Sequence, residues 1–275
     1  MKIKDQLESM DLRPTKGRGQ NFLFDQGAIH EIVKFGSAKK GDKIVEIGPG
    51  LGALTQELVP YGDITAIEIE EKFATRLKGL YPEIKIISQD VRQVDFSQVG
   101  DNLVVFGNLP YSLSTDIVFH VLSYAQVIDR AIFLLQKEFV QRMAAEPGGK
   151  EYGTLSVGCQ LSAQVRKGPI FAGNLFHPPT RVESQVVELK MRKDNPYFLS
   201  HIERVLFQRV VKASFFKRRK KLINSIKESG FFKSEDVVSA LNSSGLDIGA
   251  RAETISVKEY VALTKEFALI NSIRL

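Results

Sequence analysis

The sequence predicts an α/β fold, a mostly parallel sheet covered on both faces, followed by a smaller all-helical region. Three observations carry that expectation. From residue 40 short β-branched runs alternate with amphipathic stretches, the order of a chain that lays strand beside strand with helices between. A glycine loop, "GPGLG" at 48–52, joins the first of these strands to the first of these helices. Beyond residue 193 the apolar spacing becomes wholly helical.

Taken in order, "KIVEIG" (43–48) reads as a strand and "ALTQELVPYG" (53–62) as a helix ended by Gly62. "DITAIEIE" (63–70) is a second strand, followed by the helical "EKFATRLKGLYP" (71–82). "EIKIISQD" (83–90) and "NLVVFG" (102–107) are the third and fourth strands, and "STDIVFHVLSYA" (114–125) returns to helical spacing. "RAIFLLQK" (130–137) is a fifth strand, and "KEFVQRMAAEPGG" (137–149) a helix stopped by Pro147 and two glycines. "GTLSVGCQLSAQVRKGPI" and "SQVVELKMRK" (184–193) read as further strands, suited to a hairpin at the sheet edge. The helical "IERVLFQRVVKASFF", "KKLINSIKES", "SEDVVSALNSSG" and "SVKEYVALTKEFALI" follow, so a domain boundary is placed near 193, with domains 1–193 and 194–275.

With 275 residues, 43% apolar and 25% charged, the chain has the composition of a soluble globular protein. Its single cysteine, Cys159, excludes an internal disulfide and suits a reducing compartment. "MKIKDQLESMDLRPTKGRG" lacks the apolar core of a signal peptide, and no apolar run approaches the ~20 residues that span a bilayer, so a cytoplasmic location is expected. The net charge of +6 is uneven: residues 1–193 carry +1 and 194–275 carry +5. That asymmetry places a polyanion-binding surface, or simply a solubilising one, in the last third.

Gly48, Gly50 and Gly52 permit a sharp turn and close approach of a ligand to the backbone, and the helix that follows offers free N–H groups. Dinucleotide-binding sheets begin the same way, but the spacing here is not G-x-G-x-x-G, and Glu46 stands just before the loop, ill suited to a pyrophosphate. The second strand ends near Glu68, where a carboxylate can grip ribose hydroxyls, and the third ends in Asp90, placed to accept from an adenine amine. Asp90 taken alone reads equally as an N-cap. Three such features at successive strand ends favour a nucleoside carrying positive charge. S-adenosylmethionine fits, with NAD as the runner-up.

"FGNLPYSLST" (106–115) brings Asn108 to the end of the fourth strand, on the side of the same crevice. Its amide oxygen and the Leu109 carbonyl can accept both hydrogens of an exocyclic amine, Pro110 holds the turn, and Tyr111 offers a face for a planar base. An aromatic amine is a poor nucleophile, and two acceptors on its hydrogens aim its lone pair at a methyl donor. Asn-Leu-Pro-Tyr after a glycine loop thus signals an amino-group methyltransferase. No base is required, and His120 and His177 read as structural; no metal is expected. "KRRKK", Lys217, Arg218, Arg219, Lys220 and Lys221, falls on a predicted helix. Five consecutive cations would ring a helix, which favours a helix start or exposed junction where several can reach phosphates.

The motifs "GQNFL" (19–23), "VEIGPGLGALT", "IEIEE", "QDV", "GNLPYSLST", "LLQKEFVQRM", "YGTLSV", "FHPPTRVESQVV", "FFKRRKKLINSI" and "ARAETIS" together resemble the KsgA (RsmA) family of small-subunit ribosomal RNA adenine dimethyltransferases. The match runs in family order from about residue 11 to 270. The resemblance implies the Rossmann-like seven-stranded sheet of class I S-adenosylmethionine-dependent methyltransferases, with a small all-helical C-terminal domain binding RNA or the ribosome and an N-terminal arm over 1–18. It implies N6,N6-dimethylation of two adjacent adenosines near the 3′ end of 16S rRNA, in the 30S subunit or its precursor, by a monomer with a role in subunit maturation. The implied cofactor contacts are Asn21, Leu23, Gly48, Gly50, Glu68, Asp90 and Asn108; Asn108, Leu109 and Tyr111, on the turn held by Pro110, would hold the adenine, and Phe176 would pack on its other side. Two residues depart from the pattern: Ser112, where the family commonly has Asn, and Thr180, where it has a third proline. Rival readings are a methyltransferase of 23S rRNA of the macrolide-resistance type, a DNA adenine methyltransferase, and a non-catalytic assembly factor.

Overall fold

In a computed structural model the chain is described at Leu7, 21–193, Tyr197 and 200–272. Leu7 aside, the expected N-terminal arm lies outside the described residues. The contacts divide the chain into two compact units, 1–140 with 163–193, and 141–162 with 194–275.

The first unit is built on a seven-stranded sheet. Its strands are β2 (Asp42–Ile47), β3 (Gly62–Ile67), β4 (Lys85–Ile87), β5 (Leu103–Asn108), β6 (Ile128–Gln136), β7 (Ala163–Phe171) and β9 (Ser184–Met191). They lie in the order β4-β3-β2-β5-β6-β9-β7. Pairings from β4 through β6 are parallel, and β9 is antiparallel to both β6 and β7. A second, two-stranded ladder pairs β1 (Phe22–Leu23) with β8 (Phe176–His177), so that Leu23 faces Phe176. The strand order reverses between β2 and β5, the place where an open α/β sheet leaves a crevice at the carboxyl ends of its strands.

Helices α1 (Gln26–Phe35), α2 (Ala53–Leu58), α3 (Glu71–Leu80) and α4 (Ser114–Ser123) belong to this unit. Asp25 caps α1 by accepting from Ala28 N at 2.8 Å, and Ala28, Ile29, Ile32 and Val33 form its buried face. Gly36 follows at its C-cap, where a Cβ would meet the Phe106 and Ile132 side chains at 2.7–2.8 Å. A buried ion pair ties the sheet to this corner. Arg130 on β6 meets Asp42 at 3.0 Å and donates to the Gly36 and Ser37 carbonyls, so neither charge is stranded.

Helix α5 (Lys137–Met143) leads from the first unit into the second, which consists of α6 (Thr154–Ser162), α7 (His201–Ser214), α8 (Leu222–Glu228), α9 (Ser234–Ser243) and α10 (Val257–Ser272). Ser200 and Glu203 form a reciprocal capping box at the start of α7. Tyr152, Val157 and Leu161 lie in one buried cluster with Phe207, Leu241 and Tyr260, and the Tyr152 hydroxyl donates to the Ile255 carbonyl at 2.9 Å.

One expectation is corrected here. The stretch 154–162 is a helix, not a strand. Leu155, Ser156, Val157, Cys159, Leu161 and Ser162 are all buried, so it shows no amphipathic period to read. The contacts group this helix, within 141–162, with residues 194–275.

Candidate active site

The glycine loop leaves β2 with Gly48, Gly50 and Gly52 at φ of +62°, +55° and +88°, a left-handed run that other residues resist. The loop is pinned from the next strand. Gly48 N donates to the Ile67 carbonyl at 2.9 Å, and Gly50 N donates to Glu68 Oε2 at 3.0 Å. The other Glu68 oxygen accepts from Glu70 N at 2.9 Å. Glu46, on β2 beneath the loop, accepts from the Thr55 hydroxyl at 2.6 Å.

These two carboxylates decide the electrostatics. Glu46 is 1% exposed and Glu68 5% exposed, and among the described residues no cation pairs with either. Burial lifts the Glu46 carboxyl from 4.5 to about 7, with the Thr55 hydrogen bond opposing and Glu68 adding to the rise. Burial also raises Glu68, against the backbone N–H groups of Glu70 and Gly50. Buried carboxylates without a counter-ion beside a cavity fit a positively charged ligand and disfavour a pyrophosphate.

The neighbouring strand, β5, delivers Asn108. Gly107 before it is required by space, since a Cβ would meet Leu109 at 2.8 Å and the Ile47 carbonyl at 3.1 Å. Asn108 Nδ2 donates to the Asn21 carbonyl at 2.9 Å. A carbonyl can only accept, so this bond fixes which way the amide points and leaves Oδ1 as the atom for a ligand. Pro110 caps the short turn 111–113, its carbonyl accepting from Leu113 N and the Ser114 hydroxyl, each at 3.1 Å. Tyr111 is held by its hydroxyl, 2.7 Å from Ser184 Oγ at the start of β9.

A cavity of about 330 Å³ is lined by Asn21, Leu23, Gly48, Gly50, Glu68, Asp90 and Asn108, and also by Leu109, Pro110, Tyr111 and Ser112. The structure therefore gathers every residue expected to touch the cofactor, together with the Asn-Leu-Pro-Tyr turn. Phe176 is the exception. It is 1% exposed in the core beside Leu23 and outside the cavity lining, because β8 pairs with β1 and turns the ring inward. The expected second wall for an adenine is not formed by Phe176 in this arrangement. Thr180 lies in the same loop, its backbone N donating to the Gly173 carbonyl at 3.0 Å and its hydroxyl accepting from Val182 N at the same distance. Sequence reasoning missed Phe22, Ile69 and Arg92, which also line the cavity. A glycine loop with an aromatic over it is a usable signal for Phe22, whose ring lies 3.1 Å from where a Gly50 Cβ would be.

The basic run is a turn, not a helix, between α7 and α8, with Lys221 at the N-cap of α8. All five cations are exposed, but they are not equivalent. Arg218 Nη2 donates to the Lys150 and Tyr152 carbonyls at 2.7 and 2.8 Å, and Lys220 pairs with Glu228. Lys217 lies over the Phe216 ring, 5.1 Å from its centroid. Among the described residues Arg219 and Lys221 have no acidic partner.

Residues 14–269 match the model of the ribosomal RNA adenine dimethylase family. The chain belongs to that family. A ribosomal RNA small subunit methyltransferase A from Myxococcus xanthus is 39% identical over 267 residues, covering 95% of this chain and 94% of the relative. Among solved structures, a dimethyladenosine transferase from Plasmodium falciparum superposes with a TM-score of 0.79 at 21% identity, covering 91% of this chain and 98% of that one. The 23S rRNA methyltransferase ErmE gives a TM-score of 0.67 at 22% identity, covering 90% and 100%. At those identities the two structures establish the shared fold, a class I methyltransferase sheet with a helical C-terminal region. Like other members of the ribosomal RNA adenine dimethylase family, the chain is an S-adenosylmethionine-dependent enzyme. The two buried carboxylates, without a cationic partner among the described residues, and the glycine loop of its own cavity fit that cofactor. No helix among the described residues is long and apolar enough to cross a membrane.

Proposed function

We propose that this chain methylates N6 of two adjacent adenosines near the 3′ end of 16S rRNA, twice each. The substrate is the 30S subunit or its precursor, the enzyme acts as a cytoplasmic monomer, and the modification serves subunit maturation. The small-subunit target is supported by the Myxococcus relative, a ribosomal RNA small subunit methyltransferase A aligned over nearly its full length.

The observation that carries the reading is Asn108. Its Nδ2 is committed to the Asn21 carbonyl, so its oxygen is the acceptor left for the cavity, which two buried carboxylates also line. Asn21, Leu23, Gly48, Gly50, Glu68, Asp90 and Asn108 would hold the cofactor. When bound, S-adenosylmethionine supplies an electrophilic methyl group on a positively charged sulfur. Asn108 Oδ1 and the Leu109 carbonyl accept the N6 hydrogens, two before the first transfer and the one remaining before the second, and draw the nitrogen lone pair out of the ring. Tyr111, its hydroxyl held by Ser184, stacks on the base, worth about 1–3 kcal/mol. The cationic nitrogen left after each transfer sheds its proton to water, so no side chain acts as a base. Positioning and electrostatics account for the rate. The target base must leave its stack to enter, and Arg219 and Lys221 would hold phosphates without reading sequence.

The test is transfer of labelled methyl groups to undermethylated 30S particles. Wild type is expected to label them, and Asn108→Ala to lose activity by about 100-fold or more, as when a single oxyanion-hole donor is removed. Undiminished activity of Asn108→Ala would refute the assignment of Asn108.

A further inference from the structure

Arg92 lines the cavity, yet neither the cofactor set nor the adenine set uses it. It lies in the short turn Val91–Gln93 just after Asp90. Arg92 Nη2 donates to Asp90 Oδ2 at 2.6 Å, and Nε lies 3.1 and 3.2 Å from Oδ1 and Oδ2. Arg92 N also donates to Oδ1 at 2.9 Å. On its other side, Nη1 lies 3.6 Å from Asp116 Oδ2 in the first turn of α4, the helix that follows Asn-Leu-Pro-Tyr.

We propose that Arg92 is a positioning residue for cofactor binding: its fork locks the Asp90 carboxylate in one orientation and keeps it an acceptor for the cofactor's exocyclic amine. The inference rests on the reading of Asp90 as the contact at the adenine end. A carboxylate that only capped a turn would be tied by one backbone N–H and free to tilt. Here both oxygens are engaged by one planar group, which a lysine could not reproduce. An ionised carboxylate is also the stronger acceptor for an amine, since a carboxylic acid gives up one acceptor oxygen to an O–H donor and forms no charge-assisted bond. The charged and titratable groups around Asp90 agree. Arg92 holds its carboxyl below the usual carboxylate range, and His120 on α4 adds to that, with Asp116 facing Arg92 rather than Asp90. His120 is itself engaged with the Val94 carbonyl at 3.0 Å.

The experiment is calorimetric titration of S-adenosylhomocysteine into wild type, Arg92→Met, Asp90→Asn and the double variant, from about pH 4.5 to 8. Arg92→Met should bind about tenfold more weakly at neutral pH, the loss of one charge-assisted hydrogen bond, with the gap from wild type widening as pH falls through the carboxylate range. Glu46 and Glu68 are common to both proteins and cancel in that ratio. In the Asp90→Asn background Arg92→Met should cost nothing further, and Arg92→Lys should fall between wild type and Arg92→Met. Carboxyl NMR of the free protein should show Asp90 titrating higher in Arg92→Met and in Arg92→Lys. An equal loss in both backgrounds, or an unmoved Asp90 titration, overturns the inference alone. No binding to wild type overturns the cofactor contact itself, and the inference with it.

Discussion

Replacing Glu46 by Gln tests the electrostatic design of the cavity. The carboxyl is buried, and its proton is held up to about pH 7 against an ordinary 4.5. Between those values the folded protein carries a proton that the unfolded chain has lost, so stability falls as pH rises. The contribution is fully present below about 4.5 and gone above about 7, and the interval corresponds to about 3 kcal/mol. Unfolding of the ligand-free protein in urea at pH 5 and pH 8 should show wild type losing up to about 3 kcal/mol more than Glu46→Gln. Cofactor binding should run the opposite way. About one tenth of Glu46 is ionised at pH 6 and about nine tenths at pH 8, so affinity for cationic S-adenosylmethionine should improve about tenfold across that range. Glu46→Gln should remove that component. If wild type and Glu46→Gln keep the same pH dependence in both assays, Glu46 is not the buried acid described here.

Arg130→Ala leaves Asp42 buried without its partner and should cost about 3–5 kcal/mol in denaturant unfolding. Tyr111→Ala removes the stacking face, and the lost 1–3 kcal/mol should appear as a roughly 5- to 150-fold lower kcat/KM for the RNA substrate. Arg219→Ala should lower the slope of log affinity against log salt for RNA by about 1. Arg218→Ala should instead lower Tm with the slope kept, because its guanidinium is spent on the Lys150 and Tyr152 carbonyls.

Much of this architecture is legible in the sequence because parallel strands buried on both faces read as continuous apolar runs. "KIVEIG" and "NLVVFG" fall within one residue of β2 and β5. The helix 154–162 is not legible, since a segment buried on nearly every side has no polar stripe, and its packing partners lie some 50–100 residues away. In the cavity, residues at strand ends are legible because the sheet topology alone brings them together. The bonds that orient them are not. Asn108 is set by the Asn21 backbone carbonyl, 87 positions away, and Tyr111 by Ser184, 73 positions away. Phe176 shows the converse, a residue whose motif names a place in the pocket while its two-residue pairing with Leu23 puts it in the core.

The central claim, adenine N6 dimethylation of the small-subunit RNA, is tested most directly by mapping the products. Undermethylated 30S particles, incubated with the enzyme and S-adenosylmethionine, are digested and the nucleotides located by mass spectrometry. N6,N6-dimethyladenosine is expected at two neighbouring positions near the 3′ end of 16S rRNA, formed about 100-fold or more slowly by Asn108→Ala. Methyl groups on 23S rRNA, or no transfer from an enzyme that binds the cofactor, would contradict it.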